Sequence, residues 1–551
     1  MKRIISILSL FIISSVFLSC AEQLTMREKE MKKYESIDMS VAEGMPEGIK
    51  TTITAYNDGD YASAAMGFYS VMKNPAWSRL HETARYYYAE SLFRMGLYKA
   101  SEYQLQDILF NDGVEGHYFM SSLLKLLAVS YNTNDEKTIT AVLSNIDNSK
   151  LPKKFANELM YYLGKINFYD GKDDVALQMF SKVKDYSSFY PGSVYFTGVI
   201  QVRKGRIDKN SYAEAMKSFT KIKEMPDDKY VGADIKKLKN MAQLALGELY
   251  YAAGNDPDSK NPLAMINTSL NYFNNVSRDN EQWFESLFAR TWASVMISRF
   301  DSTLGTIVTL KSPFFTDIYF PEINIVEAVT YYNLCRYQDV NRVVDSFFKV
   351  YPVYRQKMTT YLENVSTKNA LDHYKDMLKM YNDAVNNEGV NAALPLPVLR
   401  TIVFDPVFKR KYNHIKEIER ELALVEASPE KFKTSKIAEE LRGKMLTQLA
   451  NLRIETGQWM INYLQSLTNQ LTDVIANAKA IQFEMTDREK SALEKEEQFG
   501  KKASAAVKIE DKAFNPSVRD NAYFWPFEGE YWEDELGFYF YNIQSSCVGE
   551  E

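Results

Sequence analysis

The run A-R-Y-Y-Y-A-E-S-L-F-R-M-G-L-Y-K-A-S-E-Y-Q-L, residues 84–105, leaves its backbone few choices. A helix-forming stretch ends at Met95-Gly96 and a second begins at once with Leu97-Tyr98-Lys99. Glycine reaches positive φ without a Cβ penalty, so it can close the first helix and reverse the chain in a single residue. Two helices joined so tightly must lie antiparallel. Ala84 and Ala89 sit among Tyr87, Tyr88, Leu92 and Phe93, which gives the first helix a narrow face for close approach by another. Neither helix can bury its apolar stripe alone, so the pair requires neighbours.

The neighbours follow in sequence. Asn57-Asp58-Gly59-Asp60-Tyr61 precedes Ala64, Phe68 and Val71, and similar offsets recur at Leu163-Gly164, Asp170-Gly171, Ala176, Phe180 and Val183. Gly198, Gly205, Ala215 and Phe219 mark another unit, as do Leu246-Gly247, Gly254, Phe273 and Val276. A divergent unit spans residues 283–310, a degenerate one residues 118–146, and Ala328, Tyr337, Val344, Phe347 and Pro352 mark the last. The spacing resembles the tetratricopeptide repeat, whose period is roughly 34 residues. The resemblance covers somewhat more than half of the chain, in about eight units. It implies an all-α, TPR-like α-solenoid of antiparallel helix pairs that binds other proteins.

The rest of the chain divides around this array. Met1-Lys2-Arg3 and the apolar run 4–18 have the order of a secretory leader, too short for a stable membrane span. Leu18-Ser19-Cys20 resembles the lipobox of bacterial lipoproteins, with Phe17 where that family usually has Leu; this resemblance implies lipidation of Cys20, and Ala21 leans towards the outer membrane. The alternative is an ordinary leader with an incidental cysteine. Residues 21–48 read as a tether, 49–355 as the solenoid and 356–400 as connecting helices. Residues 401–502 carry apolar positions at Trp459, Tyr463, Leu467, Leu471, Val474, Ala478, Ile481 and Met485, the seam of a coiled coil or long helical hairpin. In residues 503–551, ten aromatic side chains fall between Tyr523 and Tyr541, and a segment so aromatic is expected to dock on the body by burying its rings. Phe514-Asn515-Pro516 and Trp525-Pro526 favour an extended path.

Chemistry is hard to find. His81, His117, His373 and His414 stand in no metal-ligand spacing, and neither a nucleophile elbow nor a phosphate loop is present. The loop at Asn255-Asp256-Pro257-Asp258 resembles an acidic calcium loop but lacks its central Gly and distal Glu. No enzyme, metal or cofactor is expected. With Cys20 lipidated, only Cys335 and Cys547 remain, and they are a possible disulfide. A net charge of −6 with interspersed signs argues against nucleic acid as a partner.

The first-helix positions Arg85, Glu90, Lys165 and Gln201 are the expected partner contacts. The function expected is that of a lipid-anchored scaffold on the periplasmic side of a bacterial envelope. It resembles tetratricopeptide lipoproteins of outer-membrane assembly, gliding or secretion machinery, and its long helices could serve oligomerisation. The rival is a glycan- or nutrient-binding lipoprotein, for which Trp525 and Trp532 beside carboxylates would be the platform.

Overall fold

The computed structural model describes residues 36–38, 44–111, 115–133, 137–144, 156–230, 233–315, 318–364, 369–386, 392–499, 528–541 and 543–547. Cys20, the leader and most of the tether lie outside them, as do Pro516 and Trp525. Among the described residues there are helices and no strands. In chain order they are α1 (Glu47–Asn57), α2 (Tyr61–Lys73), α3 (His81–Arg94), α4 (Tyr98–Asn111), α5 (Phe119–Thr133), α6 (Lys137–Ser144) and α7 (Ala156–Tyr169). Next come α8 (Asp173–Lys182), α9 (Tyr190–Gly205), α10 (Asn210–Glu224), α11 (Ile235–Gly254), α12 (Pro262–Asn274), α13 (Trp283–Met296) and α14 (Phe300–Leu310). The series ends with α15 (Glu322–Asn333), α16 (Tyr337–Glu363), α17 (Ala370–Val385), α18 (Leu396–Phe404), α19 (Pro406–Ala427), α20 (Glu430–Lys433) and α21 (Lys436–Phe499). Helices α1 to α16 succeed one another as short-turn pairs, the succession expected of a helical repeat protein.

The turn chemistry repeats with the pairs. At Gly96, φ is +76°; its N–H donates to the Phe93 carbonyl at 3.0 Å, and Leu97 N–H donates to Leu92 at 2.9 Å. These two bonds make a Schellman cap, which satisfies carbonyls that the helix end would otherwise leave open. The same pair of bonds closes the turns at Gly59, Gly171, Ser298 and Cys335. Ser298 and Cys335 adopt φ of 57° and 56°, a conformation that L side chains rarely take. The repeat geometry therefore holds where the glycine is gone.

Two compact units organise the chain, and neither is a continuous segment. The first comprises Met1–Ser211, Met225–Ile235 and Asp405–Thr456. Its core joins Leu105, Leu109, Phe119, Leu123, Leu126, Leu127, Leu159 and Leu163. Beside this, Tyr56 meets Tyr87 edge-on with ring centroids 5.1 Å apart, and Tyr86 stacks on Tyr118 at 4.6 Å. Helix α19 buries Phe408, Ile415, Ile418 and Val425 in the same unit. From α21, Glu440 accepts from the Tyr69 hydroxyl at 2.6 Å, and Gln448 accepts from that of Tyr103.

The second unit comprises Tyr212–Glu224, Lys236–Phe404 and Gly457–Glu551. Leu287, Leu304, Ile307, Val326, Tyr331, Val340 and Val344 form its core, with Met485 and Ile481 of α21 packed into it. The long helices expected over 401–502 are present and pair through Arg442–Glu426 and Arg453–Glu419, their apolar faces are covered by the repeats, and the residues divide between the units at Thr456. The seam also shifts. Leu467, Leu471, Val474, Ala478 and Met485 are buried as expected, but upstream the buried positions are Met460 and Leu464. Trp459 and Tyr463, half-exposed, stack on each other at 5.0 Å instead.

Candidate functional site

The four first-helix positions expected to meet a partner fare differently in the first unit. Glu90 is buried: its carboxylate pairs with Arg94 at 2.8 Å and with Lys125 at 2.7 Å. It is therefore part of the core's ionic network, not an outward contact. The reason is its surroundings, since Tyr86, Tyr87, Tyr88 and Leu92 are buried too and the helix is enclosed on most sides. Arg85 lies 3.8 Å from Asp107, and Lys165 places its ammonium over the Tyr161 ring at 5.5 Å. Both are half-buried, as is Gln201. Arg85, Lys165 and Gln201 thus keep some solvent contact.

A second ionic feature of this unit was not anticipated. Glu421 of α19 reaches the start of α4, where its carboxyl accepts from the backbone N–H of Lys99 at 2.5 Å and of Ala100 at 3.2 Å. It supplies from another helix the cap that Leu97 cannot. Burial pushes its pKa up to about 8, against the pull of the two N–H groups.

In the second unit, first helices carry a row of carboxyl groups. Glu248 on α11 is exposed, yet burial by surrounding helices and then the charge of Glu285 on α13 raise its pKa to about 7. Glu285 and Glu322, the latter on α15, are likewise raised by burial.

The C-terminal segment docks on this second unit, and among its described residues no ring is fully buried. Residues 537–541 run extended along α14. Tyr541 N–H donates to the Asp301 carbonyl at 3.3 Å, the Tyr539 carbonyl presses on Gly305, and Gly537 N–H donates to Thr309 Oγ1 at 2.9 Å. Asp301, Gly305 and Thr309 are successive turns of one helical stripe. Four helical residues advance about 6 Å and two extended residues about 6.6 Å, so the two chains keep step. Alternate residues of the strand-like segment then point away. Phe538 is 79% exposed and Phe540 51%, and Trp532 is also exposed. Docking rests instead on Leu536, which is 4% exposed, and on backbone hydrogen bonds. Arg278 donates to the Asp534 carbonyl at 3.0 Å, Arg290 to that of Gly537 at 3.1 Å, and Ser546 N–H to that of Leu334 at 2.9 Å. Cys547 is joined to Cys335, with Cα atoms 5.0 Å apart.

Under this strap lies a cleft of about 380 Å³. Asn267, Asn271, Asn274, Arg290, Ser294, Arg299 and Ser302 line it, with the strap residues 537–540 along one side. Arg290 Nη1 donates to Asn274 Oδ1 at 3.1 Å and Arg299 Nη2 to Asn267 Oδ1 at 3.1 Å. Among the described residues, no group of three His, Cys, Asp or Glu side chains is placed to hold a metal ion. The cleft offers hydrogen bonds and positive charge.

No family model matches the chain, and no curated protein matches it. A solved structure described as a circular tandem repeat protein with novel repeat topology and enhanced subunit contact surfaces is similar to it at 10% identity. The alignment covers 82% of this chain and 89% of that one, with a TM-score of 0.12, and at that score the likeness carries no argument.

Proposed function

We propose that this chain is a lipid-anchored, tetratricopeptide-like scaffold of a bacterial envelope, which holds another envelope protein along the row of its first helices. The observation that carries the reading is the recurrence of one Schellman-closed turn from Gly59 to Cys335, which sets helix pairs in series. Arrays of this kind present extended surfaces for protein partners. Glu248 and Glu285, exposed and near enough for the charge of one to raise the pKa of the other, support a partner that brings positive charge to the second unit. The Cys335–Cys547 bond supports an oxidising compartment outside the cytoplasm, where such bonds persist. The basic, apolar, Leu-Ser-Cys order of the first twenty residues supports an anchor at Cys20, on the outer membrane and facing the periplasm.

Two measurements test this. Cys20→Ala should leave the precursor unprocessed and abolish incorporation of a fatty-acid analogue; labelling that survives the change removes the anchor from the reading. A photo-crosslinking residue in place of Glu248 should give a discrete adduct in cells. The same residue at Ile207, in the exposed turn after α9, should not. Identical adduct patterns from the two positions would refute the first-helix row as the binding surface.

A further inference from the structure

We infer that the cleft between α12, the α13–α14 turn region and the C-terminal strap is a binding site for an acidic saccharide, a sugar residue that carries its own carboxylate. The inference does not depend on the scaffold reading. It starts from charge. Arg290 and Arg299 both line the cleft, and among the described residues no Asp or Glu side chain does. Among the described residues neither guanidinium has a carboxylate partner: Arg290 is held by Asn274, Thr306 and the Gly537 carbonyl, and Arg299 by Asn267. Asp301, next to the cleft in sequence, turns its carboxylate to the N–H of Ser302 at 2.8 Å. Both Nη2 hydrogens of Arg290 are already donated, to Thr306 and the Gly537 carbonyl, so it contributes charge, whereas the exposed Arg299 guanidinium, bonded to Asn267 through one nitrogen, keeps an edge that can bind a planar carboxylate through two parallel hydrogen bonds.

The remaining lining selects what carries that carboxylate. Asn271 and Asn274 are exposed, and each amide can donate and accept, as a sugar hydroxyl does. The Asn274 oxygen accepts from Arg290, so the amide's NH₂ is its remaining donor. Ser294 and Ser302 add hydroxyls, while Leu270 is the one aliphatic side chain in the lining, so an apolar ligand has little to bury against. Phe538, 79% exposed and turned off α14, is one of the residues that line the cleft. A sugar ring has an apolar C–H face that suits such a ring, and an exposed aromatic of this size beside a polar cleft is otherwise a liability. The volume sits near the small end of the roughly 300–1,000 Å³ typical of small-ligand sites. The cleft therefore fits one residue or the end of an oligomer. A glycan site read from the sequence alone was expected to pair Trp with protein carboxylates. The structure pairs Phe with guanidinium, which reverses the charge expected of the sugar.

The test is calorimetric titration of the full mature chain, disulfide intact, with galacturonate and a short oligogalacturonate. The neutral galactose oligomer of equal length, a peptide with a free α-carboxylate, and inorganic phosphate complete the series. The expected result is saturable binding of the uronates, at least tenfold tighter than the neutral oligomer, with phosphate a weak competitor. Tight monomer binding would point to a free sugar and oligomer preference to a polymer; both support the site. Arg299→Gln and Phe538→Ala, neither of which touches the bonds that hold the strap, should each weaken uronate binding at least tenfold with unchanged melting. The proposal is overturned if uronates fail to bind at millimolar concentration, if the neutral oligomer binds equally, or if phosphate displaces them fully as at a generic anion site. It is also overturned if the peptide binds in their place, or if both variants bind as the wild type does.

Discussion

Gly305 is where the strap comes closest to the helix beneath it, and the cost of filling that position can be worked out. A Cβ built there would fall inside the van der Waals envelope of the Tyr539 carbonyl and only 2.9 Å from Phe540 Cα. The obstacle is backbone, which cannot rotate aside as a side chain does. Gly305→Ala should therefore lift the strap and loosen its three nearby bonds: Tyr541 to Asp301, Gly537 to Thr309 and Arg290 to Gly537. At about 0.5–1.5 kcal/mol net for each bond, the loss is about 2–4 kcal/mol. Against it, Ala is better than Gly inside a helix by about 1 kcal/mol. The expected net effect is a destabilisation of about 1–3 kcal/mol, read by denaturant titration with the disulfide intact. Hydrogen exchange should report faster opening at the Gly537 and Tyr541 amides. A variant that instead gains about 1 kcal/mol, the helix value alone, while both amides stay protected would show that the strap does not press on α14 and refute the packing argument.

Three further outcomes are expected. Cys547→Ser leaves the strained turn at Cys335 untouched but opens a closure spanning 212 residues, and should cost about 2–5 kcal/mol with loss of protection at the Ser546 amide; a reductant should reproduce this in the wild type, and no change in either case would mean the bond contributes nothing. Glu421 holds its proton in the fold up to a pKa of about 8, whereas the unfolded chain releases it in the ordinary carboxylate range. Its contribution is full below that range and is lost as the pH rises through about 8, so Glu421→Gln should flatten a decline in stability between about pH 5 and pH 8; identical pH profiles for both proteins would contradict the shift. Ala176, fully buried against Phe180 and Ile200, should tolerate no extra volume, and Ala176→Leu should cost about 1–3 kcal/mol in thermal melts; Ala89→Leu, equally buried, should behave alike, and unchanged melting in both would count against close helix pairing.

What could be read from the sequence follows from the range over which each signal acts. The helix pairs were legible because Gly59, Gly96 and Gly171 announce a positive-φ cap within one residue of its place. Cys335 could be read as standing in such a place, whereas Ser298, flanked by no other turn residue, could not. Glu90 was misplaced because periodicity locates an apolar stripe but not which neighbouring stripe is also covered. A signal did exist: its partner Lys125 stands 35 residues on, close to one repeat period, so opposite charges at equivalent positions of successive first helices could have exposed the pair. The strap and its cleft left no such trace. Asn267 to Ser302 and Gly537 to Phe540 meet across more than two hundred residues, and the composition of the strap suggested ring burial where the backbone is what docks.

Helix pairs in series suggest a protein that folds as it emerges, each pair settling on the one before. The cap on α4 removes that freedom. The N–H groups of Lys99 and Ala100 find their acceptor only when Glu421 arrives, 322 and 321 residues later along the chain. At about 5–20 residues per second of synthesis, that is a wait on the order of tens of seconds. The same holds for Tyr69 and its acceptor Glu440. Throughout that interval the early helices lack the surfaces of α19 and α21 that cover them, and a fragment ending before Asp405 would lack them for good. Completion is deferred to the far end of the chain, so the first unit matures last in part.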